Sequence, residues 1–280
     1  MTLSPVLSVI IVTYNDAERL ERCLKSIQSC KDEIDHEVIV VDNGSTDRTP
    51  ALLQSFPSLR VTRVAFNLGI ATARNIGIDH SRGNYLLFLD SDTEVRPDCF
   101  ANAVKALASD PGCWIGGCRT FRSDGSLEYS ARSFYTPAAL LFRRTALGKW
   151  FPNAACLRNH LNHDKDHIRN FVTDWVAGAA LIVKREAIEE LGYFDEWFAQ
   201  YLDDYDLCYR TWKRGRTVLY IANSQVIHHM SLRSQKALLP ALKHLRSGLY
   251  FYLKTWGVLD ARTRPVRPRE AKSGVTESPE

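Results

Sequence analysis

No CxxC pair, no apolar run of bilayer-spanning length, no large excess of either charge and no internal repeat occurs in these 280 residues. Each absence removes a class. The seven cysteines are scattered and odd in number, which argues against a disulfide framework or a zinc ribbon and for reduced thiols in a cytosolic setting. Cys156, His160, His163 and His167 lack a second cysteine pair and read as part of a loop rather than as a zinc site. The first apolar run, within "SPVLSVIIVTYN", has no basic segment before it and falls short of the roughly 20 residues a bilayer needs. It reads as a buried strand of a cytoplasmic chain. With 36 basic and 32 acidic residues the net charge is +4, so affinity for phosphate must come from local clusters, and non-specific nucleic-acid binding is not expected.

What is present is an ordinary core-forming composition, 45% hydrophobic and 24% charged, enough for one large α/β domain. Residues 8–14, "SVIIVTY", are nearly all apolar or β-branched, the pattern of a strand covered on both faces. A helix with Leu20, Cys23, Leu24 and Ile27 at helical spacing follows, then a second strand ending at Asp42. A short helix over 49–56, a strand over 60–66, a helix over 70–80 and a strand over 84–90 continue the alternation. This rhythm predicts a doubly wound, mostly parallel sheet, with its ligands at the carboxyl ends of the strands. Tyr14, Asn15, Asp42, Asn43, Asn67, Asp90, Ser91 and Asp92 all fall at such ends. Beyond a helix over 97–109, the spacing predicts strands in "WIGGCRTF" and "SLEYSAR" about a turn at 123–126, and a polar loop over 152–170. A strand in "WVAGAALIV", helices over 184–191 and 203–214, and one or two strands in "TVLYIANSQVIHH" complete the sheet.

The stretch "YLLFLDSDTEVRP" ends a buried strand in Asp90, Ser91, Asp92 and Glu94. Two readings stand side by side. Asp and Thr before a proline commonly cap the next helix, and a pair of carboxylates at a strand end also suits a hard divalent cation bridging to a diphosphate. Asp42 is placed to accept from the N3–H of a pyrimidine, although "DNGS" is equally a good turn. Arg74, near a helix start, suits a phosphate. In "YLDDYDLCYR" the acidic run is either a dipole-matched helix N-terminus or the seat of a general base. His228 and His229 alternate across a strand, so one of them faces any given site.

Taken in order, "LSVIIVTYN", "VVDNGSTD", "NLGIATARNIG", "YLLFLDSD", "VAGAALIVKREAIEELGYFDE", "YLDDYDLCYR" and "VIHH" resemble glycosyltransferase family 2 with the GT-A fold, and within it a rhamnosyltransferase-like branch of cell-surface polysaccharide synthesis. The resemblance runs from residue 7 to about 229. It implies an inverting transfer of a sugar, L-rhamnose first, from a dTDP- or UDP-linked donor to a glycan or lipid-linked acceptor, with Mg2+ or Mn2+ as cofactor. Thr13, Tyr14, Asn15, Asp42, Asn43, Asn67, Arg74, Asn75, Asp90 and Ser91 would serve the nucleotide and donor. Asp92 and His228 would hold the metal, Asp204 would be the base, and Trp175, Gly178 and Asp203 would meet the acceptor. The rivals are a sugar-nucleotide nucleotidyltransferase and a non-catalytic nucleotide-sugar-binding protein. The first would want a glycine-rich basic loop after the first strand, where "TYNDAERLE" stands instead.

The expected organisation is a GT-A domain over 1–233, an amphipathic helix over 234–259 and a disordered tail over 260–280. The helix carries Leu238, Leu239, Leu242, Leu245, Leu249 and Leu253 on one face. It either packs on the domain or lies on the inner face of the cytoplasmic membrane through its aromatic and basic residues.

Overall fold

The computed structural model describes residues 5–30, 34–145, 147–198, 200–229 and 238–255. Its first part is the expected alternation: β1 (Leu7–Thr13), α1 (Ala17–Ser29), β2 (His36–Asp42), α2 (Thr49–Gln54), β3 (Arg60–Arg63), α3 (Ile70–Asp79) and β4 (Tyr85–Asp90). These strands pair in parallel in the order β3-β2-β1-β4. The register sets Thr13 beside Asp42 and Val12 beside Asp90, so the polar strand ends share one edge. The period of two along a strand explains why β1 is apolar from Val9 to Val12. Val9 and Ile11 pack with Leu20 and Leu24 of α1 and Leu53 of α2, whereas Ile10 packs with Ala73 and Ile78 of α3 on the opposite face.

The chain then runs through β5 (Thr93–Val95), α4 (Cys99–Ala108), β6 (Cys113–Arg122), β7 (Leu127–Glu128), β8 (Ala131–Arg132), α5 (Pro137–Arg144), α6 (Leu147–Trp150) and α7 (Ala155–His160). It continues through β9 (Phe171–Thr173), β10 (Trp175–Val176), β11 (Ala180–Lys184), α8 (Arg185–Leu191), α9 (Asp203–Lys213), β12 (Thr217–His228) and α10 (Leu238–Thr255). The main sheet extends as β3-β2-β1-β4-β11-β6-β12-β5. β11 is antiparallel to both β4 and β6, while β12 is parallel to β6. The antiparallel insertion makes the sheet mixed, yet most of its long pairings remain parallel.

Four expectations change. The strand read in "SLEYSAR" is two, β7 pairing with β6 and β8 with β10. The strand read in "WVAGAALIV" is two strands, because β10 pairs with β8 in a separate two-stranded ribbon and β11 joins the main sheet. The polar loop over 152–170 contains α7, whose Leu157 and His160 are buried. The strand over 60–66 ends at Arg63, and the next residues run into the turn before α3. Residues 133–151, to which the sequence reading gave no element, hold α5 and α6.

The described part of α10 packs against the domain through Ser247, Tyr250 and Phe251. Tyr250 stacks on Trp197 at 5.0 Å and donates its hydroxyl to Asp195 at 2.8 Å. Lys254 reaches both Asp195 at 2.9 Å and Asp206 at 2.5 Å, two carboxylates with almost no solvent exposure. The side chains of 238–245, including four of the six expected leucines, and the predicted tail lie outside the described residues. No described helix is long and apolar enough to cross a membrane.

Candidate active site

The ends of β1 and β2 border a cavity of about 640 Å3, lined on one side by Thr13, Tyr14, Asn43 and Asn67 and on the other by Trp197, Gln200 and Arg246. Its rim is made by side chains that hold turns in place. Asn15 takes a left-handed backbone (φ 50°), which asparagine tolerates better than most residues. Its Oδ1 accepts from the backbone N–H of Thr46 at 2.7 Å, tying the turn after β1 to the turn after β2. Asn43 accepts from Leu68 N–H at 2.9 Å and donates to Asn67 Oδ1 at 3.2 Å, and Asn67 accepts from Gly69 N–H at 2.9 Å. Thr13 Oγ1 is buried and has no hydrogen-bond partner among the described residues. Asp42 is fully buried; one oxygen accepts from Ser45 N–H at 2.9 Å and the other lies 3.3 Å from Arg63 Nε.

A second cavity, about 390 Å3, meets the first at Ile70 and Gln200 and is lined by Arg74, Asp90, Asp203, Asp204, Trp175 and Gly178 among others. Arg74 is its hub. The buried guanidinium donates to Asp203 at 2.6 Å, to the Gly178 carbonyl at 2.8 Å and to Asp90 at 3.3 Å. Burial works against its charge, but Asp203 and Asp90 outweigh burial and raise its pKa. A Cβ on Gly178 would come within 2.9 Å of the guanidinium, so only glycine fits between Arg74 and α9 without displacing that hub. Burial pushes the Asp203 carboxyl up to about 6, with Arg74 opposing and the adjacent Asp204 adding.

Asp204 stands at the start of α9, where its oxygens accept from Gly178 N–H at 2.7 Å and from Tyr205 N–H at 2.8 Å. Tyr201 and Leu202, just before it, both have positive φ, 70° and 66°. Two successive non-glycine residues in this region store backbone strain, about 1–3 kcal/mol each, and such strain concentrates at functional sites. Trp175 is 4% exposed and donates its indole N–H to the Ser133 carbonyl at 3.1 Å.

Where the cavity meets β12, ligand atoms of Asp90, Asp92 and His228 all lie within 4.8 Å of one another. Strand pairing explains how residues so distant in sequence meet. β12 returns antiparallel to β5 with His228 opposite Thr93, and His229 N–H donates to the Asp92 carbonyl at 2.8 Å. His228 Nε2 is 3.3 Å from Asp92, and Nδ1 is 3.0 Å from Glu128. A carboxylate can only accept, so both nitrogens of the charged imidazole donate, Nδ1 to Glu128 and Nε2 to Asp92, and a metal at Nε2 would take the place of that proton. Burial alone would lower the imidazole pKa; the bonds to Asp92 and Glu128 prevail and push it up to about 10. A cluster this acidic thus draws positive charge to itself. Two carboxylates and an imidazole, backed by a further carboxylate, form a donor set suited to Mn2+ or a similar divalent ion. His229 faces away and pairs with Glu94 at 2.8 Å.

The structure brings Thr13, Tyr14, Asn43 and Asn67 to the first cavity, and Arg74, Asp90, Trp175, Gly178, Asp203, Asp204 and His228 to the second. Asp92 adjoins the second through His228. Asn75 sits apart from both: it is fully buried, donates to the Phe194 carbonyl at 2.9 Å and Glu196 at 3.0 Å, and accepts from Phe194 N–H at 3.0 Å. Ser91 donates to Asp16 at 2.7 Å. Asp206, in the same acidic run, is buried between Arg210 and Lys254. Glu128, Arg132, Tyr135, Arg143, Trp197 and Arg246 also line the two cavities and were not singled out in the sequence. Only Arg246 had a visible signal, as a cation on an amphipathic helix.

A family model described as Glycosyl transferase family 2 matches residues 8–192. An N-acetylglucosaminyl-diphospho-decaprenol L-rhamnosyltransferase of Mycobacterium tuberculosis is 30% identical over 240 residues, covering 81% of this chain and 77% of its own length. An uncharacterized glycosyltransferase of Bacillus subtilis, YfnE, is 30% identical over 75% of this chain and 61% of its own. Among solved structures, GalNAc-T7 with UDP, GalNAc and Mn2+ aligns with a TM-score of 0.61 at 19% identity, over 83% of this chain and 45% of that one. The mannosyltransferase PcManGT of Pyrobaculum calidifontis with GDP-Man and Mn2+ aligns at 0.58 and 23% identity, over 94% and 67%. At these identities the two structures speak for a shared fold.

Proposed function

The chain belongs to glycosyltransferase family 2 and has its fold, and on that premise we propose that it is an inverting, metal-dependent enzyme that transfers L-rhamnose from dTDP-rhamnose, or a related sugar from a dTDP- or UDP-donor, to a lipid-linked glycan acceptor. The observation that carries this reading is the convergence on one cavity of Asp90 and His228 with Asp203 and Asp204, Asp92 lying beside the first two. The rhamnosyltransferase likeness over most of both chains supports the sugar and the acceptor class. Synthesis of cell-surface polysaccharide at the inner face of the membrane is the corresponding setting.

Asp92 and His228, with Asp90 beside them, would hold Mg2+ or Mn2+; the bound ion supplies charge neutralisation for the departing diphosphate. Thr13, Tyr14, Asn43 and Asn67 receive the nucleoside, and Asp42, which is buried next to Asn43 between Ser45 N–H and Arg63 and lines neither cavity, is the acceptor proposed for a pyrimidine N–H. Asn15, Ser91 and Asn75 act by fixing the turns and the helix around the donor. Arg74 fixes Asp90 and Asp203 relative to each other. Asp204 takes the proton of the acceptor hydroxyl while that oxygen bonds to the anomeric carbon, and the bond from that carbon to the diphosphate breaks with inversion. Asp203 and Gly178 position Asp204, and Trp175 forms the apolar wall beside the acceptor sugar.

The test is calorimetry of the chain with UDP-, dTDP- and GDP-sugars, with and without Mn2+. Tight binding of a pyrimidine donor only when the metal is present is expected. Failure of every pyrimidine donor to bind would remove the Asp42 role and most of this reading.

A further inference from the structure

Next to the second cavity lies a third hollow of about 430 Å3, walled by Arg122, Arg132, Arg143 and Lys149 together with apolar Phe142 and Leu157. It is continuous with the second, since Glu128, Arg132 and Arg143 line both. Glu128 is the one carboxylate among its described lining residues, and it is engaged by His228. Arg132, Arg143 and Lys149 make no ion pair with any carboxylate among the described residues; Arg132 donates its Nε–H to the Tyr129 carbonyl, and Arg143 lies over the Tyr135 ring. Burial, and then the neighbouring Arg143, pull the Arg132 pKa down. Glu128 and Asp204 offset this only in part for Arg132, so three cations share one engaged carboxylate in the hollow, and a multivalent anion would relieve their repulsion.

Away from the hollow's lining, α5, α6 and the residue after them also expose large apolar side chains. Leu141 is 51%, Trp150 72% and Phe151 58% exposed. Aromatic residues next to a lysine are the composition of a surface that meets an apolar chain under a charged head. The same short segment thus carries basic groups of the hollow and exposed apolar side chains that do not line it, a pairing that matches an amphiphile with a diphosphate head.

We propose that this hollow is the subsite for the diphosphate of a polyprenyl-linked acceptor, and that the prenyl chain leaves along Leu141, Trp150 and Phe151. The assignment rests on the lipid-linked reading above and says where that acceptor lies. The donor's diphosphate belongs beside Asp90, Asp92 and His228, none of which lines this hollow. An acceptor with its reacting hydroxyl at Asp204 and its diphosphate among Arg132, Arg143 and Lys149 spans two connected cavities, as a sugar joined directly to a diphosphate requires.

The experiment titrates farnesyl diphosphate, inorganic pyrophosphate and farnesol separately into the full chain, with Mg2+ and excess dTDP occupying the donor cavity. Wild type is expected to bind farnesyl diphosphate more tightly than either fragment. Arg143→Ala and Lys149→Ala should each weaken it about tenfold, the loss of one charge-assisted contact. Trp150→Ala with Phe151→Ala should reduce it toward the pyrophosphate value while leaving pyrophosphate binding unchanged. A wild type that ignores farnesyl diphosphate, or basic-to-alanine variants that bind it as wild type does, would overturn the subsite. Arginine-dependent binding without any sugar transfer would sink the proposed activity and keep the subsite; transfer to a lipid-linked acceptor that Arg143→Ala and Lys149→Ala leave unchanged would do the reverse.

Discussion

Replacing Asp204 by Asn separates chemistry from binding. Asp204 uses both oxygens, accepting from Gly178 N–H at 2.7 Å and Tyr205 N–H at 2.8 Å. Asparagine retains one acceptor oxygen, so one of these bonds is lost, about 1 kcal/mol of stability. The fold and the Arg74 hub stay, because Arg74 bonds to Asp203, Asp90 and Gly178 rather than to Asp204. On the proposed mechanism, what disappears is the proton acceptor. General-base catalysis contributes about 10²–10⁴ in rate, so kcat should fall by that factor, about 2.7–5.4 kcal/mol of barrier, with donor affinity within about twofold of wild type. Steady-state release of nucleoside diphosphate in the presence of acceptor gives kcat, and calorimetry with donor and Mn2+ gives binding. Asp203→Asn is the control. It weakens a buried ion pair and should lower stability by about 3 kcal/mol or more as well as activity. Transfer by Asp204→Asn within tenfold of wild type would refute the base assignment.

Four further outcomes follow from the same geometry. Asp92→Asn should abolish the Mn2+ dependence of donor binding, and Glu128→Gln, which removes the charged partner of His228 Nδ1, should weaken Mn2+ affinity about 10- to 100-fold by calorimetry. Lys254→Met leaves the buried Asp195 and Asp206 without their shared cation; a loss of about 3 kcal/mol in chemical denaturation is expected, with weaker donor binding because α10 brings Arg246 to the first cavity. His160, stacked on Tyr135 at 4.3 Å and buried, has its pKa lowered by burial to about 3. The unfolded chain therefore takes up a proton near pH 6.5 that the folded chain refuses, and stability is full above that pH and declines as pH falls toward 3. His160→Phe should remove roughly 1–2 kcal/mol of the stability difference between pH 7 and pH 5; an unchanged pH slope would count against a buried neutral ring.

The N-terminal half was legible because its inner strands β1 and β4 are covered on both faces and the polar residues of the site fall at strand ends. Periodicity alone locates β1, β2 and β4 to within a residue or so, and the parallel register then brings Thr13, Asp42 and Asp90 to one edge. The region from 133 to 170 was not legible. Its helices α5, α6 and α7 are short, and Pro137, Gly148 and Pro152 break the apolar period that would have announced them. Glu128 shows the same limit at the site. Nothing in "SLEYSAR" marks a partner for His228, because their meeting depends on β7 and β12 both pairing with β6, a long-range fact of the sheet. The resemblance places Trp175 at the acceptor, and the structure shows it buried with its indole N–H spent on Ser133.

The central claim, metal-dependent inverting transfer from a pyrimidine donor, is tested most directly by product analysis. The chain is incubated with a dTDP-sugar, Mn2+ and a polyprenyl-diphosphate-linked acceptor, and both the released nucleotide and the anomeric configuration of the new linkage are determined. The expected result is one dTDP per sugar transferred, an inverted anomeric centre and no turnover after chelation. Release of pyrophosphate, or a retained configuration, would contradict it.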